Sequence, residues 1–276
     1  MTDQYLNNIG VFGAGRSGTT WLAQIIAAAG LELIFEPLHT TEVAECGGWR
    51  PLPLFYRAGD TFPWPDVFDR AIKGEIRSEW TVRDNPGARR KVIKFIRANL
   101  MIEWILENYD ILPVFIIRNP LAVVASMREQ GWHISPKWMN MLLRDRRFTA
   151  HFNEGADLGG LDTRELSDVE AKATFWSILN FIPKRLGLFD RIPFVRYEEL
   201  CRDPVGIVSD LAPRIDIPFS EEVRAQLYRK SFMIGRGSTE EGYDPMTAWR
   251  SVLSGAEADE ICDIVSRFRL AEFLET

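Results

Sequence analysis

The sequence predicts an α/β fold of three layers, a central parallel sheet flanked by helices, and residues 1–276 read as a single domain. Three observations carry this. Short apolar runs alternate with helical segments along the chain, the order that builds a parallel sheet covered on both faces. The run Pro113-Val114-Phe115-Ile116-Ile117 is apolar throughout, as in a strand buried on both sides. The first apolar run enters a Gly-rich turn that opens directly into an apolar helix.

The elements follow in order. Asn8 to Phe12 reads as the first strand and Thr19 to Ala29 as a helix, closed by Gly30. Leu31 to Phe35 is a second short strand, stopped by Glu36-Pro37. Residues from about 40 to 90 are rich in Pro, Gly and Trp and read as an insertion of loops and short helices over a substrate site. Lys91 to Ile96 is a strand, Asn99 to Asn108 a helix, and Pro113 to Ile117 the central strand. Pro120 starts a helix over Leu121 to Arg128. Asp168 to Leu186 is a further helix and Ile192 to Tyr197 the last strand. Beyond it the chain is mostly helical, with a loop from Gly235 to Pro245.

Composition narrows the function. The 33 Lys and Arg against 39 Asp and Glu leave a net charge of −6, so a global basic field for nucleic acid is excluded. Three cysteines, Cys46, Cys201 and Cys262, lie far apart without metal-ligand spacing, and there are only three histidines. No metal is expected, and a reducing compartment fits. The first strand begins too early to leave room for a signal peptide, and no apolar run approaches the length of about 18 residues that spans a membrane. A cytoplasmic location is the expectation. The oligomeric state is not specified.

The turn Gly13-Ala14-Gly15-Arg16-Ser17-Gly18-Thr19-Thr20-Trp21 is P-loop-like: backbone N–H groups and a helix N-terminus converge on one anion. Arg16 and the hydroxyls of Ser17, Thr19 and Thr20 stand where an ATP-binding loop carries Gly-Lys-Ser/Thr. An anion other than a metal-bound triphosphate is implied. A second feature is Arg118-Asn119-Pro120, at the end of the central strand, followed by Ser126 two turns into the next helix. Ligands of open α/β sheets bind outside the carboxyl ends of the strands, so Arg118 faces the same crevice and offers a fork for a second phosphate.

These motifs, with Val195-Arg196-Tyr197-Glu198-Glu199-Leu200, resemble those of the sulfotransferases that use 3′-phosphoadenylyl sulfate (PAPS). The resemblance spans residues 9 to 200. It implies that Arg16, Ser17, Gly18, Thr19, Thr20 and Trp21 hold the 5′-phosphosulfate, that Arg118 and Ser126 hold the 3′-phosphate, and that Tyr197 lies near the adenine. PAPS is then the sulfuryl donor, 3′,5′-ADP (PAP) the product, and a hydroxyl-bearing carbohydrate or small molecule the acceptor. Phe35-Glu36-Pro37-Leu38 is similar to the segment after the first helix in carbohydrate sulfotransferases, whose loop style is also the nearer one.

Sulfuryl transfer needs a cradle for the leaving phosphate, a base for the acceptor hydroxyl, and a cation where charge builds on the bridging oxygen. Glu36, at the mouth of the crevice, is the favoured base; His39 and His133 compete. Lys94 is the favoured cation, because a lysine inside an apolar strand demands an anion; Arg97 is the alternative. The late basic loop, with Arg236 and Ser238, resembles the family's closure over the 3′-phosphate, and Trp249-Arg250 the pair that follows it. Trp176 and Asn180, at i and i+4, line the nucleotide pocket or an apolar face. Trp49, Phe55, Tyr56, Trp64, Trp80, Trp132 and Trp138 form either an acceptor platform or core.

Two other classes fit parts of this pattern. A P-loop kinase needs the missing lysine and an acidic Mg²⁺ ligand where Arg118 stands. A non-catalytic nucleotide-binding module of the same fold has no use for Glu36 and Lys94.

Overall fold

The computed structural model describes residues 7–47, 55–153, 162–229 and 244–274. Five strands, β1 (Asn8–Phe12), β2 (Glu32–Phe35), β3 (Lys91–Phe95), β4 (Ile111–Ile117) and β5 (Phe194–Arg196), form one sheet in the order β2-β3-β1-β4-β5. Every pairing is parallel. Side-chain alternation divides the core into two layers. Phe12, Ile34, Ile93, Phe95, Phe115 and Ile117 face one helical layer; Ile9, Val11, Leu33, Val92, Val114 and Ile116 face the other.

The first layer holds α2 (Pro65–Lys73), α3 (Ile102–Asn108), α4 (Pro120–Glu129), α5 (Pro136–Arg144), α6 (Arg146–Asn153), α7 (Asp168–Arg185), α8 (Leu188–Arg191) and α12 (Gly255–Arg267). The second holds α1 (Thr19–Ala27), α9 (Tyr197–Arg202), α10 (Pro204–Arg214) and α11 (Glu221–Leu227). The three-layer α/β prediction is therefore correct.

Differences lie at the element ends. β4 starts two residues early and includes Pro113, which pairs with Gly10 on one side. β5 reaches β4 only from Phe115 onward, so Pro113 occupies a stretch without a ladder on the other side, where its missing N–H is harmless. β5 is shorter than expected because Tyr197 already begins α9. Helices α5 and α6 were not anticipated. The region read as an insertion contributes α2 and one antiparallel bridge, Ile34 to Val82.

The sheet order positions the site. From β1 the chain crosses to β2 on one side, and from β4 to β5 on the other. The carboxyl ends of β1 and β4 thus flank a topological switch point, where ligands of such sheets bind.

The β2–β3 edge carries a structural charge cluster at its opposite end. Glu32, fully buried, receives Arg77 at 2.5 Å and its register partner Lys91 at 2.7 Å. Burial alone would raise the Glu32 carboxyl, but the bonds from Arg77 and Lys91 outweigh it and hold the group below its ordinary 4.5. The ionised pair therefore stabilises the fold above the unfolded value, and that contribution is lost as pH falls below it. Glu32→Ala leaves Lys91 buried without its anion and is expected to cost about 3 kcal/mol in urea unfolding at pH 7. The deficit should shrink in acid.

Candidate active site

The Gly-rich turn is shaped by what presses on it. A Cβ on Gly15 would sit 2.4 Å from the Trp132 ring, and one on Gly18 2.4 Å from the Tyr197 ring. Gly18 also has φ 86°, and Arg16 adopts the left-handed region at φ 71° without being glycine. A non-glycine there stores backbone strain of about 1–3 kcal/mol, a pattern concentrated at functional sites. At the start of the turn, Gly13 donates its N–H to the buried Asn99 Oδ1 at 3.1 Å. Gly18 is the N-cap of α1 and brings no side-chain cap, so the first-turn amides face the crevice without an internal acceptor. Gly15→Ala and Gly18→Ala should each cost at least tenfold in anion affinity by calorimetry, since ring and loop must separate.

The two predicted arginines meet. Arg16 donates from Nε to Ser126 Oγ at 3.0 Å, and Arg118 donates from Nη1 to the Arg16 carbonyl at 3.2 Å. Arg118 is 8% exposed; its Nη2 reaches the Pro245 carbonyl at 2.5 Å and its guanidinium lies 4.4 Å from the Tyr197 ring centroid. Trp21 packs edge-on against that ring at 6.0 Å. Two polar atoms here are buried with no hydrogen-bond partner among the described residues: Ser17 Oγ and Arg118 Nε. Buried orphans of this kind mark places where a ligand or water completes the bonding.

Glu36 and Lys94 also meet. They follow and end the paired strands β2 and β3, where Phe35 is in register with Lys94. Lys94 Nζ donates to Glu36 Oε1 at 2.6 Å and Arg97 Nη1 to Glu36 Oε2 at 2.7 Å. The Lys94 ammonium rests 4.2 Å from the Phe35 ring centroid. Glu36 is buried and has φ 43°, a second strained non-glycine residue. Burial alone would push its carboxyl up; the Lys94 charge, then Arg97, outweigh that and hold it below the ordinary value. The anion that keeps Lys94 buried is thus Glu36 itself.

The family model described as a sulfotransferase domain matches residues 7–239. The chain belongs to the sulfotransferase family. Among solved structures, it is similar to the sulfotransferase domain from the curacin biosynthetic pathway, at 16% identity over 94% of this chain and 97% of that one, with a TM-score of 0.48. The sulfotransferase domain of the Synechococcus PCC 7002 olefin synthase gives 17% identity over 95% and 94%, with a TM-score of 0.49. A sulfotransferase from Mycobacterium avium gives 12% over 95% and 76%, with a TM-score of 0.47. No curated protein matches the chain.

In this sulfotransferase the other candidates separate. His39 Nδ1 accepts from the amides of Thr41 and Glu42, each at 3.3 Å, and its ring packs on Trp80. Burial, then the Arg97 charge, lowers its pKa below the ordinary 6.5. The ring is therefore neutral with its basic nitrogen already engaged. His133 is exposed on the loop after α4. Trp176 and Asn180 are fully buried, with Asn180 Nδ2 on the Trp176 carbonyl at 2.7 Å, so neither lines an open pocket and the apolar-face reading holds. Phe55 and Trp138 belong to the core, Tyr56 packs against it, and Trp64 is exposed. Trp80 and Trp132 stay beside the site. Trp249 and Arg250 stack on each other at 5.3 Å in the 3₁₀ turn Ala248–Ser251. Arg236, Ser238 and Trp49 lie outside the described residues. No helix among the described residues is long and apolar enough to cross a membrane.

Three contributors escaped sequence reasoning: Asn99 and Trp132, which brace the loop, and Glu198, which binds the Asn119 amide at 2.9 Å. Asn99 follows a strand at the same sheet end as the loop, which is a faint signal. Each contact joins segments far apart in sequence, so local spacing could not reveal it.

Proposed function

We propose that this sulfotransferase moves a sulfuryl group from PAPS to the hydroxyl of an acceptor, a carbohydrate or small molecule, in one in-line displacement without a metal. What carries the reading is that Arg16 and Arg118, joined through the Arg16 carbonyl, share one crevice with a carboxylate and a lysine on the neighbouring strands. The site suits the donor. The orphaned Ser17 Oγ and the open α1 amides suit a phosphosulfate, and the unpartnered Arg118 Nε suits a second phosphate.

The donor supplies an activated S–O bond. Arg16, Ser17, Thr19 and Thr20 hold its 5′ end, with Gly18 allowing close approach and Trp21 backing the helix. Arg118 and Ser126 hold the 3′-phosphate, and Tyr197 supports the arginine. Glu36 takes the acceptor proton as the acceptor oxygen bonds to sulfur. Lys94 compensates the charge on the bridging oxygen as the S–O bond to the 5′-phosphate breaks. Arg97 stays on Glu36 and keeps its carboxylate aimed. Glu36 is preferred to His39 because the imidazole's basic nitrogen is already bonded to the backbone.

The test is transfer from ³⁵S-labelled PAPS to a panel of sugars, phenols and aliphatic alcohols, with and without a chelator. Labelled product that survives chelation supports the reading. PAP binding without turnover on every acceptor would favour the non-catalytic module.

A further inference from the structure

We infer that Glu198 is a positioning residue for Arg118, and that through it the enzyme discriminates doubly from singly phosphorylated adenosine. The inference rests on the assignment of Arg118 to the 3′-phosphate.

The argument begins with register. β4 and β5 pair in parallel with Ile117 opposite Arg196, so the next two residues of each strand exit the sheet side by side: Arg118 beside Tyr197, Asn119 beside Glu198. Both contacts form. The Tyr197 ring lies 4.4 Å from the Arg118 guanidinium, and Glu198 Oε1 accepts the Asn119 amide at 2.9 Å. One dipeptide grips the other, ring on side chain and carboxylate on backbone.

The grip determines where Arg118 points. Asn119 is 1% exposed and fixed on every side: its Oδ1 caps α4 by accepting from the Leu121 amide at 2.8 Å, and its Nδ2 donates to the Leu274 carbonyl at 2.9 Å. Its own N–H lies outside the helix and has left the sheet ladder; the Glu198 carboxylate, 3% exposed, satisfies it. A buried amide without an acceptor is costly, and a charged acceptor binds it more strongly than a neutral one. Without Glu198 the peptide between Arg118 and Asn119 loses its anchor and can rotate. The guanidinium then leaves the Tyr197 face.

The same ring touches the other anion site. A Cβ on Gly18 would meet Tyr197 Cδ2 at 2.4 Å, so the ring lies between the phosphate loop and the Arg118 guanidinium. It acts as a spacer between the two phosphate sites, and Glu198, on the next residue, fixes one end of that spacing. A ligand with one phosphate uses only the loop. A ligand with two needs the spacing to be right.

Calorimetry with PAP and 5′-AMP tests this within each variant, because AMP binding serves as an internal control for fold. The parent enzyme should bind PAP at least tenfold more tightly than AMP. Glu198→Leu should lose about tenfold in PAP affinity while AMP affinity changes less than twofold. Glu198→Asp, too short by one methylene to reach the amide, should behave the same way and decides the matter if the leucine variant does not fold. Glu198→Gln retains an acceptor oxygen and should keep most of the preference. Unchanged discrimination in the Leu and Asp variants, or equal losses for PAP and AMP, overturns the positioning role. A glutamine variant as impaired as leucine overturns it too, since charge alone would then be at work. A parent enzyme without preference for PAP refutes the 3′-phosphate assignment itself, and this inference with it.

Discussion

Arg118→Ala is expected to weaken PAP binding by about 10²-fold, with Arg16→Ala close behind, and both losses should be visible by calorimetry. The magnitude follows from preorganisation. An arginine that swings freely on the surface loses side-chain entropy when it grips a phosphate. Arg118 has already lost it: the ring of Tyr197 and the carbonyls of Arg16 and Pro245 hold the guanidinium before any ligand arrives. Its unpartnered Nε keeps a donor in reserve. Arg118→Lys should recover little, because an ammonium cannot match the planar fork or stack on the ring in the same way. Arg16 differs in one respect. Its backbone is strained, and its side chain is tied to Ser126, so Arg16→Ala also releases α4 from the loop. Wild-type PAP affinity in either variant would remove the basis for placing the bisphosphate in this crevice.

How much of this was legible in the sequence depends on the range of the interaction. The strand bounds Asn8–Phe12 and the start of α1 at Thr19 are local matters, set by apolar alternation and by glycine, and the sequence reading matches them. The placement of Arg118 needs only the rule that the strand ends face the ligand. Glu36 and Lys94 were each legible as candidates, but not as a pair. They are 58 residues apart, and only the β2–β3 register brings them together. Reasoning from one strand at a time assigned Lys94 a phosphosulfate as its anion; the fold supplies a carboxylate first.

Other misreadings have the same origin. Trp176 and Asn180 sit at helical spacing that suits a pocket wall or a core face, and only the packing of α7 decides for the core. Trp132 read as part of a loose aromatic set, yet it presses on Gly15 across more than a hundred residues. Glu198 sat inside a quoted motif without a role, because its partner is a backbone amide of another strand's exit.

Glu36→Gln is expected to lower kcat by about 10²–10⁴-fold while PAP affinity stays within a few-fold, the signature of a lost general base. The pH profile carries a sharper consequence. In the free enzyme two cations hold the Glu36 carboxyl below its ordinary 4.5, so it remains ionised as pH falls until well into acid. The acid limb of kcat/KM for the donor, which reports the free enzyme, should therefore lie below 4.5. Under the proposed mechanism Lys94 turns to the donor once it is bound, and Glu36 keeps only Arg97. Removing one of two positive neighbours lets burial reassert itself, and the carboxyl rises. A more basic carboxylate is the better proton acceptor, so the donor both delivers the sulfuryl group and activates the base. The acid limb of kcat, which reports the complex, should then lie at higher pH than that of kcat/KM. Lys94→Met should bring the two limbs together, since no lysine remains to be handed over, and His39→Asn should leave both in place. Coincident limbs in the parent enzyme would show that Lys94 never leaves Glu36, and full activity in Glu36→Gln would return the base to His39 or His133.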